Sequence, residues 1–213
     1  MTKKITRKNL EKFLGKHATD ARILDVGSGG SSYSKFFPNR LTIDIDPARG
    51  PEIVADAHNL PFKDGEFDLV LCTEMLEHVD DPFKVERELW RVTSPGGRLI
   101  LTTRFVYPLH DSPHDYWRFT EFGLRKLFSK WEIMELQPET RTFSALAALM
   151  QRIIFQTRLK ANKLSKLILL GVLKIFLHLD WIISKEYGDI KRSNEQAPII
   201  STGYMMVCNK KRS

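Results

Sequence analysis

The chain reads as short apolar runs separated by polar, helix-patterned stretches. Residues 21–26 are largely apolar and stop at the cluster Gly27-Ser28-Gly29-Gly30, the pattern of a strand entering a tight turn. Residues 40–45 predict a second strand, ending in the acidic pair Asp44 and Asp46 before Pro47, and residues 52–55 a third. Residues 67–72 are almost unbroken in apolar character, as expected of a strand covered on both faces of a parallel sheet. Residues 98–103, 131–136 and 204–209 predict three more strands, the first of them preceded by the punctuation Ser94-Pro95-Gly96-Gly97. Helices are predicted over residues 8–18, 31–37, 82–92 and 120–129, with Pro82 suited to a first turn and Glu121 near a positive helix end. Strands alternating with helices indicate right-handed crossovers and a doubly wound α/β sheet.

A chain of 213 residues can hold one such domain with decoration, and its 42% hydrophobic and 28% charged content excludes disorder throughout. The net charge of +7 favours an anionic partner, whether nucleic acid, acidic membrane or phosphorylated metabolite. Many of the basic residues lie at the ends, in Lys3, Lys4, Arg7, Lys8, Lys210, Lys211 and Arg212, as in solvated tails. No nucleic-acid recognition pattern accompanies them, so no nucleic-acid partner is expected. Cys72 and Cys208, far apart in apolar runs, predict packed reduced thiols and a cytoplasmic setting. The amino-terminal stretch lacks the apolar core of an export signal.

In an open parallel sheet, ligands bind beyond the carboxyl ends of the strands where strand order reverses. Gly27 and Gly29 fall in the first such turn, where glycine permits positive φ and close approach of a ligand to the backbone. Asp44 ends the second strand, where a carboxylate can accept hydrogen bonds from ribose hydroxyls. A dinucleotide fingerprint G-x-G-x-x-G needs a third glycine where this chain has Ser32, which weighs against an NAD-dependent enzyme.

The longer series of motifs resembles the class I S-adenosylmethionine-dependent methyltransferases, in particular the bacterial type 11-like group with an LPF-x-x-x-x-FD motif. The segments carrying the resemblance are ILDVGSGG at 23–30, TIDIDP at 42–47, ADAHNLPFKDGEFDLV at 55–70, LEHVDDP at 76–82 and LWRVTSPGGRLILTT at 89–103. The resemblance implies a Rossmann-like, seven-stranded, mostly parallel sheet with its last strand antiparallel. It also implies S-adenosylmethionine as cofactor and S-adenosylhomocysteine as product. Cofactor contact is then expected from Asp25, Gly27, Ser28, Gly29, Asp44, Ile45, Asp56, Ala57 and Cys72. In this reading the glycine turn holds the methionine part, Asp44 the ribose hydroxyls and Asp56 the adenine amino group, with the Ala57 amide beside the ring. Asp25 serves equally well as a brace for the glycine turn. The family's G-x-G-x-G ends here in Ser31, with a glycine one position earlier at Gly30.

Methyl transfer is an in-line displacement that needs alignment above all, and an oxygen or nitrogen acceptor must also lose a proton. His78 follows the fourth strand at the pocket mouth and is one candidate base. The run from Leu109 to Phe119 is the other region, a candidate lid with His114 and Asp115 as its candidate catalytic groups. His58, His78, His110 and His114 show no zinc-ligand spacing, and no metal is expected. The acceptor, a small molecule or one linked to lipid or glycan, is not readable. A module that binds the cofactor without turnover is the rival reading.

Three parts are expected: a core over 1–139, a helical Leu/Ile-rich insertion over 140–196, and the last strand with a basic tail over 197–213. Residues 164–183 approach membrane-spanning length but carry Lys166, Lys174, His178 and Asp180, which disfavours a span. On a helical projection Lys163, Lys166, Lys174, His178 and Lys185 share one stripe beside a wide apolar face. That face suits packing on the domain, a homodimer, or a membrane interface, the last implying peripheral attachment at the inner face of the cell membrane.

Overall fold

A computed structural model describes residues 4–30, 33–160 and 162–212. The element order is α1 (Ile5–Lys16), β1 (Ile23–Val26), β2 (Arg40–Asp44), β3 (Ile53–Val54), β4 (Phe67–Thr73), α2 (Pro82–Val92), β5 (Thr93–Arg104), α3 (Glu121–Leu127), β6 (Glu132–Pro138), α4 (Thr142–Gln156), α5 (Asn162–Phe176) and β7 (Gly203–Asn209). The seven strands form one sheet in the order β3-β2-β1-β4-β5-β7-β6. β1 pairs in parallel with both β2 and β4, β2 with β3, and β4 with β5. β7 runs antiparallel to β5, because Gly96 and Gly97 bond to Lys210 at one end while Phe105 bonds to Thr202 at the other. The mostly parallel, doubly wound sheet expected from the sequence is therefore the sheet observed, with the seventh strand inserted before the sixth.

Local chemistry sets the boundaries. α2 starts where Asp81 accepts the Lys84 amide at 2.9 Å and Pro82 occupies the first turn, and it buries Val85, Leu89 and Val92 at helical spacing. α3 starts at Thr120, whose hydroxyl accepts the Gly123 amide at 3.0 Å. β1 is buried along its whole length, so its neighbours must cover both faces.

Two departures from the sequence pattern have local causes. Residues 94–97 were expected to precede a strand, but β5 runs through them. Phe67 pairs with Thr93 and Leu69 with Arg98, so the extra residues bulge out of the ladder and the punctuation survives inside the strand. No helix links β1 to β2 among the described residues: residues 33–39 form turns, and Phe36 and Phe37 each donate a backbone hydrogen bond back to Tyr33. Ser31 and Ser32, on which the expected start of that helix and the glycine spacing turned, lie outside the described residues.

The chain forms two compact units. One, of residues 12–104, 110–137 and 204–213, contains the sheet. The other takes in residues 138–203 together with 105–109 and the start of the chain up to Glu11. Its centre is Ala147, Ile154 and Leu173, with Ile5, Met150 and Phe176 packed against them. α5 ends at Phe176, so His178 and Lys185 lie beyond the helix and do not share its stripe. Asp180 shows why the chain turns there: its carboxylate accepts the Phe143 and Ser144 amides at 2.7 and 3.2 Å and so serves the first turn of α4. No helix among the described residues is long and apolar enough to cross a membrane.

Candidate functional site

The strand order reverses between β1 and β4, and a cavity of about 960 Å³ opens beyond the carboxyl ends of the strands there. Val26 and Gly27 from the end of β1, Asp44 and Ile45 from the end of β2, and Asp56 and Ala57 after β3 all line it. Met75, His78 and Val79, from the turn after β4, complete one wall with His114 and Tyr116. Parallel strands deliver these residues together because each ends at the same sheet edge.

Asp44 organises the first turn. Only 7% exposed, it accepts the Gly29 amide on Oδ2 at 2.8 Å and the Asp46 amide on Oδ1 at 3.0 Å. Each carboxylate oxygen carries a second lone pair, so the group can accept further hydrogen bonds from a ligand in the cavity. Ile45, 68% exposed, offers an apolar wall beside it. Gly27 has φ +68°, and a Cβ there would lie 2.2 Å from Met75 Cγ, so the turn requires glycine on two counts. Asp56 accepts the His58 amide at 2.9 Å and its imidazole at 2.7 Å; burial works against the charge, but these bonds hold the carboxyl below its ordinary range.

Other residues singled out from the sequence sit elsewhere. Asp25 is fully buried and bonded to Arg40 at 2.8 Å, with burial pushing its carboxyl up to about 7 against the pull of Arg40. It does not line the cavity, and its carboxylate meets the Arg40 guanidinium rather than an amide of the glycine turn. Ser28 is buried, its amide bonded to the Ile43 carbonyl at 3.0 Å. Cys72 is fully buried within β4, away from the cavity lining, and burial raises its thiol pKa far beyond the ordinary range. The sequence placed it at a strand end; the strand continues through Thr73, which keeps the side chain in the sheet.

The segment after β5 is pinned to the turn after β4. Tyr116 and Trp117 both donate their amides to the Glu77 carbonyl, at 3.0 and 3.1 Å, and the Trp117 indole donates to the Val79 carbonyl at 2.8 Å. His78 Nδ1 bonds to the His114 carbonyl. That bond places the proton on Nδ1 and leaves the lone pair on Nε2, which lies 4.0 Å from Asp111 Oδ2. His114 bonds through Nδ1 to the Tyr116 hydroxyl at 2.8 Å. Asp115 is absent from the cavity lining. Arg118 grips it with bonds of 2.6 and 2.7 Å, and this pairing, despite burial, lowers its carboxyl to about 2, so it is a fixed anion rather than a proton carrier.

Sequence spacing missed three things. Met75 forms cavity wall although nothing in its local pattern marks it, and it is joined there by Val79 from the LEHVDDP segment and Tyr116 from the run expected to form a lid. Glu77, fully buried with its pKa raised by burial, accepts the Thr103 hydroxyl at 2.7 Å. With His78 and His110 it brings three ligand-type atoms within 4.8 Å of one another, a juxtaposition that histidine spacing does not reveal. Glu74 and Asp111, both lining the cavity, hold positive φ of 54° and 52°, backbone strain of the kind that collects at functional sites.

The electrostatics of this cavity oppose those of the chain. Asp44, Asp46, Asp56, Glu74, Asp80, Asp81 and Asp111 line it, against Arg49 and Lys84. An acidic, partly enclosed site suits a cationic ligand and repels a phosphorylated one. A sulfonium with an α-ammonium group, an adenine ring for the apolar wall and a ribose diol for Asp44 matches this donor set.

Residues 24–101 match the family model described as a methyltransferase domain. Tocopherol O-methyltransferase, chloroplastic, from Arabidopsis thaliana is 38% identical over 103 residues, covering 38% of this chain and 30% of that protein. A ubiquinone biosynthesis O-methyltransferase of Pseudomonas aeruginosa is 35% identical over 101 residues, covering 38% of this chain and 44% of its own length. The match thus spans less than half of either relative. Among solved structures, the [4+2]-cyclase SpnF superposes with a TM-score of 0.61 at 15% identity, over 98% of this chain and 82% of its own. That likeness establishes the fold and leaves the chemistry to the site.

Proposed function

We propose that this chain, which carries a methyltransferase domain of the class I S-adenosylmethionine-dependent fold, transfers a methyl group to an oxygen of a neutral acceptor. The observation that carries the reading is the acidic cavity at the strand-order reversal, lined by both the Asp44 carboxylate and the imidazole of His78, whose Nδ1 is bonded to the His114 carbonyl. S-adenosylmethionine, when bound, supplies a methyl group on a positively charged sulfur. Asp44 would accept the ribose hydroxyls, Asp56 the adenine amino group, and the Ala57 amide and Ile45 would flank the ring.

His78 Nε2 takes the proton from the acceptor hydroxyl as the oxygen gains its methyl group. The imidazolium so formed is held by the His114 carbonyl on one nitrogen and faces Asp111 with the other. His114 and Tyr116, bonded to each other, form the adjoining wall on which the acceptor rests. An oxygen acceptor is supported by the names of the two relatives, and a neutral one by the acidic lining. A small molecule and a lipid- or glycan-linked hydroxyl both meet these requirements.

The test is release of S-adenosylhomocysteine from S-adenosylmethionine in the presence of a panel of phenols and aliphatic alcohols. Turnover with at least one hydroxyl compound, abolished in His78→Gln while cofactor binding persists, is the expected result. Tight binding of S-adenosylhomocysteine with no turnover on any acceptor would favour the rival, a module that binds without reacting. Preferential binding of NADH would remove the reading altogether.

A further inference from the structure

One long stretch of this protein is basic and free of acidic residues. Between Thr142 and Leu179 there is no Asp or Glu, while Arg152, Arg158, Lys160, Lys163, Lys166 and Lys174 supply six positive charges of a chain whose net charge is +7. The rest of the chain sums to a net charge of about +1, with basic runs at its two ends offset by acidic residues elsewhere, and the cavity described above is acidic. The charge therefore serves something other than the cofactor site.

The same stretch exposes an apolar helix face. α5 turns Leu173 inward, 6% exposed, against Ala147 and Ile154, with Leu169 and Leu170 partly buried beside it. On its opposite side Leu164, Leu167, Ile168 and Ile175 are 61%, 67%, 57% and 59% exposed. Their spacing keeps them on one stripe of the helix, and Gly171, also exposed, lies within it. Beyond the helix, Trp181 is 80% exposed and Ile182 52%. Lys163 and Lys174 border the stripe, and Lys166, Lys160 and Arg158 are exposed nearby.

We propose that α5 and Trp181 form a docking surface for an anionic lipid bilayer, with the stripe seated among the acyl chains and the lysines at the headgroups. Apolar side chains with bordering lysines and a terminal tryptophan match the layered chemistry of a membrane interface. A second copy of the chain is the poorer occupant, because pairing the stripes would bring two strongly basic, acid-free segments together. α5 is too short to span a bilayer, which leaves it lying in the surface plane.

Co-sedimentation of the full chain with vesicles of phosphatidylcholine alone, and of equimolar phosphatidylcholine and phosphatidylglycerol, tests this. Binding is expected to be about tenfold stronger on the anionic vesicles and to fall with added salt. Trp181 fluorescence should shift to the blue on binding, and Trp181→Phe should remove the shift. Leu167→Glu with Ile175→Glu should abolish pelleting, and Lys163→Glu with Lys174→Glu should reduce it several-fold. Because these side chains are exposed, circular dichroism and S-adenosylhomocysteine binding of both variants should match the parent. Equal binding to both vesicle types, equal pelleting of the Leu167/Ile175 variant, or an unmoved Trp181 spectrum overturns the proposal. So does absence of vesicle binding combined with a sedimentation-equilibrium dimer that the Leu167/Ile175 variant dissolves, since that would assign the face to a second copy.

Discussion

Replacing Asp44 separates cofactor recognition from everything else the fold does. The side chain accepts two backbone amides, from Gly29 at 2.8 Å and Asp46 at 3.0 Å, and has lone pairs left for the ribose hydroxyls. Asp44→Ala removes all of these at once. Hydrogen bonds to a charged acceptor contribute roughly 1.5–3 kcal/mol each, so losing two ribose contacts weakens binding by about 3 kcal/mol or more. At about 1.4 kcal/mol per decade, that is some two decades in Kd. The amides left without an acceptor loosen the glycine turn and add to the loss. Asp44→Asn keeps the shape and one acceptor oxygen, and an intermediate loss of about one decade is expected, at roughly 1.4 kcal/mol. Calorimetry with S-adenosylhomocysteine measures both, and thermal melting without ligand identifies any variant that has merely unfolded. Asp46→Ala is the comparison: its half-exposed carboxylate caps the Ala48 amide and pairs with Arg49 at 3.5 Å, and although it lines the cavity it is assigned no ribose hydroxyl, so a smaller loss than for Asp44→Ala is expected. Should Asp44→Ala bind within about threefold of the parent, a difference of less than ~0.7 kcal/mol, the assignment of the ribose site is wrong.

Other consequences can be measured with the same protein. His78→Gln should lower kcat by about 10²–10⁴-fold at neutral pH with unchanged S-adenosylhomocysteine affinity, and the deficit should shrink at alkaline pH as the acceptor hydroxyl ionises unaided. A pH-independent deficit would assign His78 to positioning alone. Gly27→Ala should cost about 1–2 kcal/mol for the left-handed backbone and a further ~1–3 kcal/mol for displacing Met75. Adding Met75→Ala should recover part of the second cost and none of the first, since the Cβ at position 75 still lies 2.8 Å from the added methyl, as read from urea denaturation against Met75→Ala alone. Asp25, with its carboxyl raised from 3.8 to about 7 by burial, stays protonated in the folded chain where the unfolded chain has already lost its proton. Its contribution to stability is therefore fully present below the unfolded value of 3.8 and falls as pH rises toward about 7. The slope is at most about 1.4 kcal/mol per pH unit, and Asp25→Asn should remove it in denaturation curves at pH 5 and pH 7. An unchanged slope would mean that Arg40 keeps the carboxylate ionised throughout.

The sequence by itself determined the sheet and the ligand-facing ends of its strands. Period and apolar content are local properties, so β1, β4 and α2 could be read within a few residues. The glycine turn and Asp44 could be placed because a doubly wound sheet puts the ends of its parallel strands at one edge. Tertiary structure alone decided what depends on residues distant in the chain. Asp25 is tied to Arg40, which arrives beside it from the neighbouring strand, and Asp115 became a fixed anion because Arg118 folds back onto it. Met75 and Tyr116 became cavity wall because the segment after β5 is bonded to the turn after β4. α5 stopped at Phe176 because Asp180 is drawn to the first turn of α4, a contact across 37 residues that no helical projection contains. Periodicity records which face of an element is apolar; which groups meet across that face is settled only when burial brings them together and each buried charge must find its partner.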